Sequence, residues 1–184
     1  MKESKSAVRL LYASAVFIAS AVVFCAVFAP LLAPYDPSAV SPEEILEHSS
    51  AAHWFGTDAL GRDILSRVIY GARSSVAFAF CSAFCTMALG LSLGMVSGYF
   101  GGLADKSVQC LVALFQGLPG TSLMIAIAAI LPENDFRIII ALTLTSWTGF
   151  SRIVRNEVLR IKGETYMEGI RSIGAGHWYI LRKY

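Results

Sequence analysis

Charged residues are missing from three long stretches of this chain. Between Arg9 and Asp36 lie 26 uncharged positions, between Arg73 and Asp105 lie 31, and between Lys106 and Glu133 lie 26. A helix crosses the ~30 Å apolar core of a bilayer with about 20 apolar residues, and all three stretches clear that length. The pattern predicts a first helix over about 8–32, closed by Pro30, Pro34 and the turn chemistry of Pro34-Tyr35-Asp36-Pro37. A polar stretch over 36–73 follows, in which Ser41-Pro42-Glu43-Glu44 reads as the start of a short surface helix, with a serine cap, proline at the first position and acids in the first turn. A second helix is predicted over about 74–96, ended by Gly98-Tyr99-Phe100-Gly101-Gly102. The third, about 105–131, contains Gly117-Leu118-Pro119-Gly120, where a kink or break is expected. After the polar turn Pro132-Glu133-Asn134-Asp135, a fourth span is predicted from Ile138, although only 14 uncharged residues precede Arg152. Trp147 and Arg152 suit the membrane interface at its end.

Composition agrees with a membrane class. Of 184 residues, 55% are hydrophobic and 15% charged, where soluble domains carry about 25% charged residues. The first apolar run, 10–33, exceeds the usual 7–15-residue core of a signal peptide and lacks a clean small-x-small cleavage site, so a retained anchor is expected. Cys25, Cys81, Cys85 and Cys110 all lie in apolar stretches without a CxxC pair or ligand spacing, which reads as packing and not as metal binding. The net charge of +2 says little about nucleic acid, but the basic residues are too scattered to form a groove, so no nucleic-acid partner is expected. No G-x-x-x-x-G-K-[ST] or HExxH motif is present, so no cofactor, metal centre or enzymatic site is expected.

Basic residues orient the spans. If four helices alternate, one side receives Lys2, Lys5, Arg9, Lys106, Arg152, Arg155, Arg160, Lys162, Arg171, Arg182 and Lys183, and the other only Arg62, Arg67, Arg73 and Arg137. Basic loops stay cytoplasmic, which predicts a cytoplasmic N-terminus and tail and an external 36–73 loop.

Two segments carry finer information. The first runs His53-Trp54-Phe55-Gly56-Thr57-Asp58-Ala59-Leu60-Gly61-Arg62-Asp63-Ile64-Leu65-Ser66-Arg67 and continues through Gly71, Arg73 and Ser75. Gly56 and Gly61 permit tight turns, and Asp58, Arg62, Asp63 and Arg67 can pair locally. By chemistry alone this is a salt-bridged cap at a helix start. The second is Tyr166-Met167-Glu168-Gly169-Ile170-Arg171-Ser172-Ile173-Gly174, which reads as a short amphipathic helix ending at Gly174 and presenting Glu168 and Arg171.

The pattern FGTDxxGRDxxSRxxxGxRxS, carried by Phe55, Gly56, Thr57, Asp58, Gly61, Arg62, Asp63, Ser66, Arg67, Gly71 and Arg73, resembles the signature before the second helix in permease subunits of the dipeptide/oligopeptide/nickel ABC importer family. The tail resembles that family's EAA coupling loop, with Glu168 at the acid and Gly174 at the glycine, while Gly169 and Ile170 replace the two alanines. The turn from Gly98 to Asp105, Leu118-Pro119, Trp147 to Arg152, and Arg155 with Glu157 to Leu159 extend the likeness. Ala113 departs from it, since the family usually has an acid six positions before that proline.

The resemblance implies an all-α membrane protein with the type I ABC importer transmembrane fold, of which this is the N-terminal part with about four transmembrane helices. It implies an N-tail and first helix over 1–33, an external loop over 34–73 and a core permease domain over 74–184. It also implies a multi-pass subunit of the bacterial inner membrane that pairs with a second homologous permease, two cytoplasmic ATPases and an extracytoplasmic binding protein, surrounded by lipid. Glu168, Gly169, Arg171 and Gly174 would couple to the ATPases. Family members continue into two more helices after the coupling loop, so a sequence stopping at Tyr184 is expected to be a piece or a truncated copy. Di- or oligopeptides are the substrate implied. A nickel or metal-chelate importer is the alternative, and a truncated, non-transporting membrane fragment is the rival of another class.

Overall fold

Glycine and proline punctuate a run of helices that is interrupted by one long loop, residues 33–63. The computed structural model describes residues 2–134 and 136–183, with side chains described from residue 8 onward. Asp135, part of the expected polar turn, the Lys2 and Lys5 side chains, and the terminal Tyr184 fall outside what it describes. The chain divides into two units, residues 1–79 and 80–184, a boundary that falls inside one helix rather than at the expected 73/74 junction.

In the first unit, α1 (Lys2–Val27) and the single turn α2 (Ala29–Leu32) follow one another, with Pro30 in the first turn of α2. From residue 8 to residue 24 every position of α1 is exposed, including Leu10, Leu11, Phe17 and Ile18. A helix that is apolar all round and bare of protein neighbours has lipid as its natural solvent. The expected surface helix after Ser41 shrinks to one 3-10 turn, Pro42–Glu44, and the Ser41 side chain caps nothing. The backbone there is claimed by the loop instead. Thr57 Oγ1 donates to the Glu44 carbonyl, the Glu47 amide donates to Thr57 Oγ1 at 2.9 Å, and the Leu46 amide donates to the Asp58 carbonyl at 3.2 Å.

The long helix α3 (Ile64–Phe100) starts ten residues earlier than expected. Asp63 caps it, because its Oδ2 accepts the Ser66 amide at 2.7 Å and so satisfies one of the amides that the first turn leaves without a helical partner. Ser66, Arg67, Gly71 and Arg73 therefore lie on a helix and not in the loop. Its end is set by Gly101 and Gly102, both at positive φ (69° and 54°).

The second unit continues with α4 (Gly102–Gln116) and α5 (Gly120–Ile130), which bend by 92° across Gly117-Leu118-Pro119. The expected kink is a full break. Pro119 is extended (ψ 118°), and the Leu123 amide reaches back to its carbonyl at 3.0 Å to start the next helix. Helix α6 (Phe136–Lys162) runs well beyond the expected fourth span, and α7 (Thr165–Ser172) and α8 (His177–Lys183) complete the chain. Among the described residues, two helices, α1 and α3, are long and apolar enough to cross a membrane, or three spans if the bent α4–α5 pair counts as one. Helix α6 is long enough, but charges from Arg152 onward confine its apolar part to its first half.

Glycines decide how α3 meets α6. Gly90, Gly94 and Gly98 recur every fourth residue, and a Cβ at each would press on α6: Phe150 at Gly90, Val154 and the Ser151 carbonyl at Gly94, Val158 and the Arg155 carbonyl at Gly98. Small residues at this spacing let backbones approach closely, the arrangement by which helices associate where no water drives them together. Beside that seam, Val108, Val112 and Trp147 form a buried cluster, with Phe115 set edge-on to Trp147 at 5.7 Å.

Candidate functional site

Two sets of expected residues are placed by local structure, each within its own unit. In the signature loop, Gly56 (φ 73°) and Gly61 (φ 72°) take left-handed conformations, and a Cβ on either would overlap a backbone carbonyl, that of Glu47 or of Ser41. Between them the Asp58 carboxylate gathers the loop. It accepts the Leu60 amide (2.8 Å), the Arg62 amide (3.1 Å), the Arg62 guanidinium (2.9 Å from Nε) and the Arg67 guanidinium. The Arg62 hydrogen bond, aided by the two amides and opposed by burial, holds Asp58 well below the ordinary carboxylate range.

His53 is 4% exposed and donates from Nδ1 to Asp63 Oδ1 at 3.0 Å, with Glu44 at 3.7 Å from its Nε2. The Asp63 hydrogen bond raises the imidazole pKa, against burial and with help from Glu44. Burial pushes the Asp63 carboxyl up, but hydrogen bonds from His53 and Ser66 outweigh it and leave it lowered. Ser66, fully buried, accepts the Tyr35 amide on its Oγ at 3.1 Å, and the Tyr35 ring lies 4.7 Å from that of His53. Of the remaining signature residues, Phe55, Gly71 and Arg73 are exposed, and Thr57 is buried. The loop is a closed knot of polar contacts at the root of α3.

The second set is the amphipathic tail. Helix α7 buries Met167 and exposes Glu168, Gly169 and Arg171. Gly174 comes next at φ 84°, and the Ala175 amide reaches the Ile170 carbonyl at 3.3 Å, closing the turn as expected. No Cβ clash exists at Gly169 or Gly174, so the first is free to face a partner and the second is held by its φ alone.

Beneath α7 lie contacts that sequence reading missed. Arg155 forks onto Asp105, and Asp105 Oδ1 also accepts the Ser97 hydroxyl at 2.5 Å, so the α3 end, the α4 start and α6 share one polar knot. Lys162 Nζ donates to the Tyr99 carbonyl at 2.8 Å, and the Tyr99 hydroxyl lies 2.7 Å from His177 Nδ1. Tyr99, Met167 and Ile180 form a buried cluster. Near it an apolar cavity of about 360 Å³ is lined by Leu91, Met95, Phe150, Ile153 and Val154 among others. The spacing of Gly90, Gly94 and Gly98 was visible in the sequence; the pairing of Asp105 with a residue 50 positions away was not. Ala113 is exposed on α4, its carbonyl accepting the Gly117 amide at 2.9 Å.

Residues 90–184, from the first glycine of the α3 seam through α8, match the family of binding-protein-dependent transport system inner membrane components. The chain belongs to that family. It is 37% identical over 161 residues to a glutathione transport system permease protein of Pectobacterium atrosepticum, covering 87% of this chain and 54% of the relative. It is 35% identical over 154 residues to the oligopeptide transport system permease protein of Bacillus subtilis (84% of this chain, 50% of the relative). It is 37% identical over 167 residues to that organism's dipeptide transport system permease protein (91% and 52%). The chain thus spans about half the length of these relatives. Its family consists of membrane transport components and not of enzymes, and its all-helical architecture is that of the importer transmembrane domain.

Proposed function

We propose that this chain forms part of the translocation path of an ATP-driven importer for di- or oligopeptides, as a multi-pass inner-membrane component. The observation that carries the reading is α7: a short helix anchored by Met167, with Glu168, Gly169 and Arg171 exposed, inside the segment that matches the family. In this reading those residues and Gly174 meet a cytoplasmic ATPase, whose ATP-driven closure pushes α7 and biases the membrane helices between two states. A second permease subunit, the ATPases and an external binding protein complete the assembly.

The basic residues of the tail support a cytoplasmic α7, and the basic N-terminus a cytoplasmic start. The 34–73 stretch is then an external cap, with Phe55 to Asp63 knotting it and Ser66, Arg67, Gly71 and Arg73 on the root of α3. Residues 74–184 belong to the core permease domain. Peptides are the favoured substrate because the three relatives are named for glutathione, oligopeptide and dipeptide transport. Among the described residues, no group of three or more His, Cys, Asp or Glu side chains is arranged to hold a metal ion, and a nickel or metal-chelate substrate remains the alternative reading.

The test is uptake of a labelled di- or tripeptide into vesicles that contain the subunit with its partner subunits and binding protein. ATP-dependent uptake that is lost in Glu168→Arg is the expected result. Uptake of nickel and no peptide, or ATP hydrolysis with no uptake at all, overturns the reading.

A further inference from the structure

We propose that Tyr99 is a positioning residue that delivers movement of the α7–α8 segment to the end of α3; this rests on the coupling reading of α7 above. Tyr99 is the penultimate residue of α3 and only 7% exposed. Its parts together engage three later elements, α6, α7 and α8. Its hydroxyl lies 2.7 Å from Nδ1 of His177, the first residue of α8, and the two rings meet edge-on with centroids 5.5 Å apart. Its ring packs with Met167 of α7 and Ile180 of α8. Its carbonyl accepts Lys162 Nζ, from the last turn of α6, at 2.8 Å.

The backbone just beyond Tyr99 matters as much. After Phe100 the chain passes through Gly101 and Gly102, both at positive φ and both with open space where a Cβ would sit. Across these glycines the start of α4 is tied to the end of α3, because Asp105 accepts the Ser97 hydroxyl and is bridged by Arg155 of α6. A push on α7–α8 therefore reaches α3 through a packed, hydrogen-bonded side chain, and the Ser97–Asp105 contact passes it on to α4. Packed side chains have discrete arrangements and transmit displacement. The hydrogen bond to His177 adds direction: it holds the ring against α8, so that α3 follows α7–α8 outward as well as inward.

The experiment measures peptide uptake and ATP hydrolysis in the same vesicles, for the subunit assembled with its partner subunits and binding protein. Tyr99→Phe and His177→Leu are expected to hydrolyse ATP as the parent does, while peptide imported per ATP falls about three- to tenfold, the scale of one lost hydrogen bond. His177→Asn places an amide group near the position of Nδ1 and is expected to recover most of the ratio. That recovery separates positioning from simple packing, which leucine would satisfy. An unchanged ratio in both Tyr99→Phe and His177→Leu, in vesicles whose parent is coupled, overturns the inference alone. An assembly whose parent imports no peptide overturns the transport reading, and the inference falls with it.

Discussion

Arg155 on α6 closes a two-pronged bridge onto Asp105 in the first turn of α4, with Nε 2.7 Å from Oδ1 and the second prong 2.6 Å from Oδ2. Both side chains are about three-quarters covered, and Ser97 of α3 donates to the same carboxylate. A guanidinium matches a carboxylate in two places at once; an ammonium cannot. Arg155→Lys keeps the charge and loses the fork, and Asp105→Asn loses the charge. Each is expected to destabilise the folded subunit in detergent by about 1–2 kcal/mol, with the pair together costing less than the sum. Thermal unfolding of the two single variants and the double variant checks this. Additive effects would mean that the two residues act separately.

The α3–α6 seam makes a sharper prediction. A Cβ at Gly94 would come within 2.8 Å of the Val154 Cβ and closer still to the Ser151 carbonyl, whereas at Gly149, on α6 itself, it would meet nothing within 4 Å. Gly94→Ala is therefore expected to destabilise by about 1–3 kcal/mol through forced separation of the helices. Gly149→Ala is expected to be neutral or to stabilise by about 0.5–1 kcal/mol, since it only removes the entropy cost of a helical glycine. Thermal unfolding of both variants distinguishes close approach from a general preference for alanine in helices.

Turn geometry governs the signature loop. Gly61 combines φ 72° with a Cβ position already taken by the Ser41 backbone. Gly61→Ala is expected to open the loop even though alanine is the smallest available side chain. Limited proteolysis should then cut between residues 41 and 63 at least tenfold faster than in the parent, a ratio worth about 1.4 kcal/mol. An unchanged cleavage rate would show that the loop does not need this turn.

The pair His53–Asp63 should make that loop sensitive to pH. His53 has its pKa raised, chiefly by the Asp63 hydrogen bond, so its contribution is complete below about pH 6.5 and is lost as pH rises through the raised value. Burial opposes ionisation of Asp63, but its hydrogen bonds leave the pKa lowered; its contribution is complete above about pH 4 and is lost as pH falls through the lowered value. Amide exchange in residues 44–66 is expected to be slowest between about pH 4 and 6.5, after correction for intrinsic rates. His53→Gln should remove the loss of protection above that window. Equal protection in the parent at about pH 5 and at pH values above the raised histidine pKa would contradict it.

Much of this architecture is local and therefore readable along the chain. Runs without charge mark the helices that need an apolar solvent. Gly117-Leu118-Pro119 marks a break because proline excludes its neighbour from the helix, and Gly174 marks the end of α7 because a left-handed residue closes it. The amphipathic face of α7 comes from spacing alone, and so does the presence of tight turns at Gly56 and Gly61. Other features were settled by partners far away in the chain. The helix foreseen after Ser41 gave way to a single turn because Thr57 and Asp58 took its backbone groups, and α3 began at Ile64 because Asp63, itself held by His53, was free to cap it. The same holds for Asp105 with Arg155 and for Tyr99 with His177. A carboxylate or a phenol has the same local propensity whichever cation or ring it meets, so the pairing is written only in the packing of α3, α4, α6 and α8.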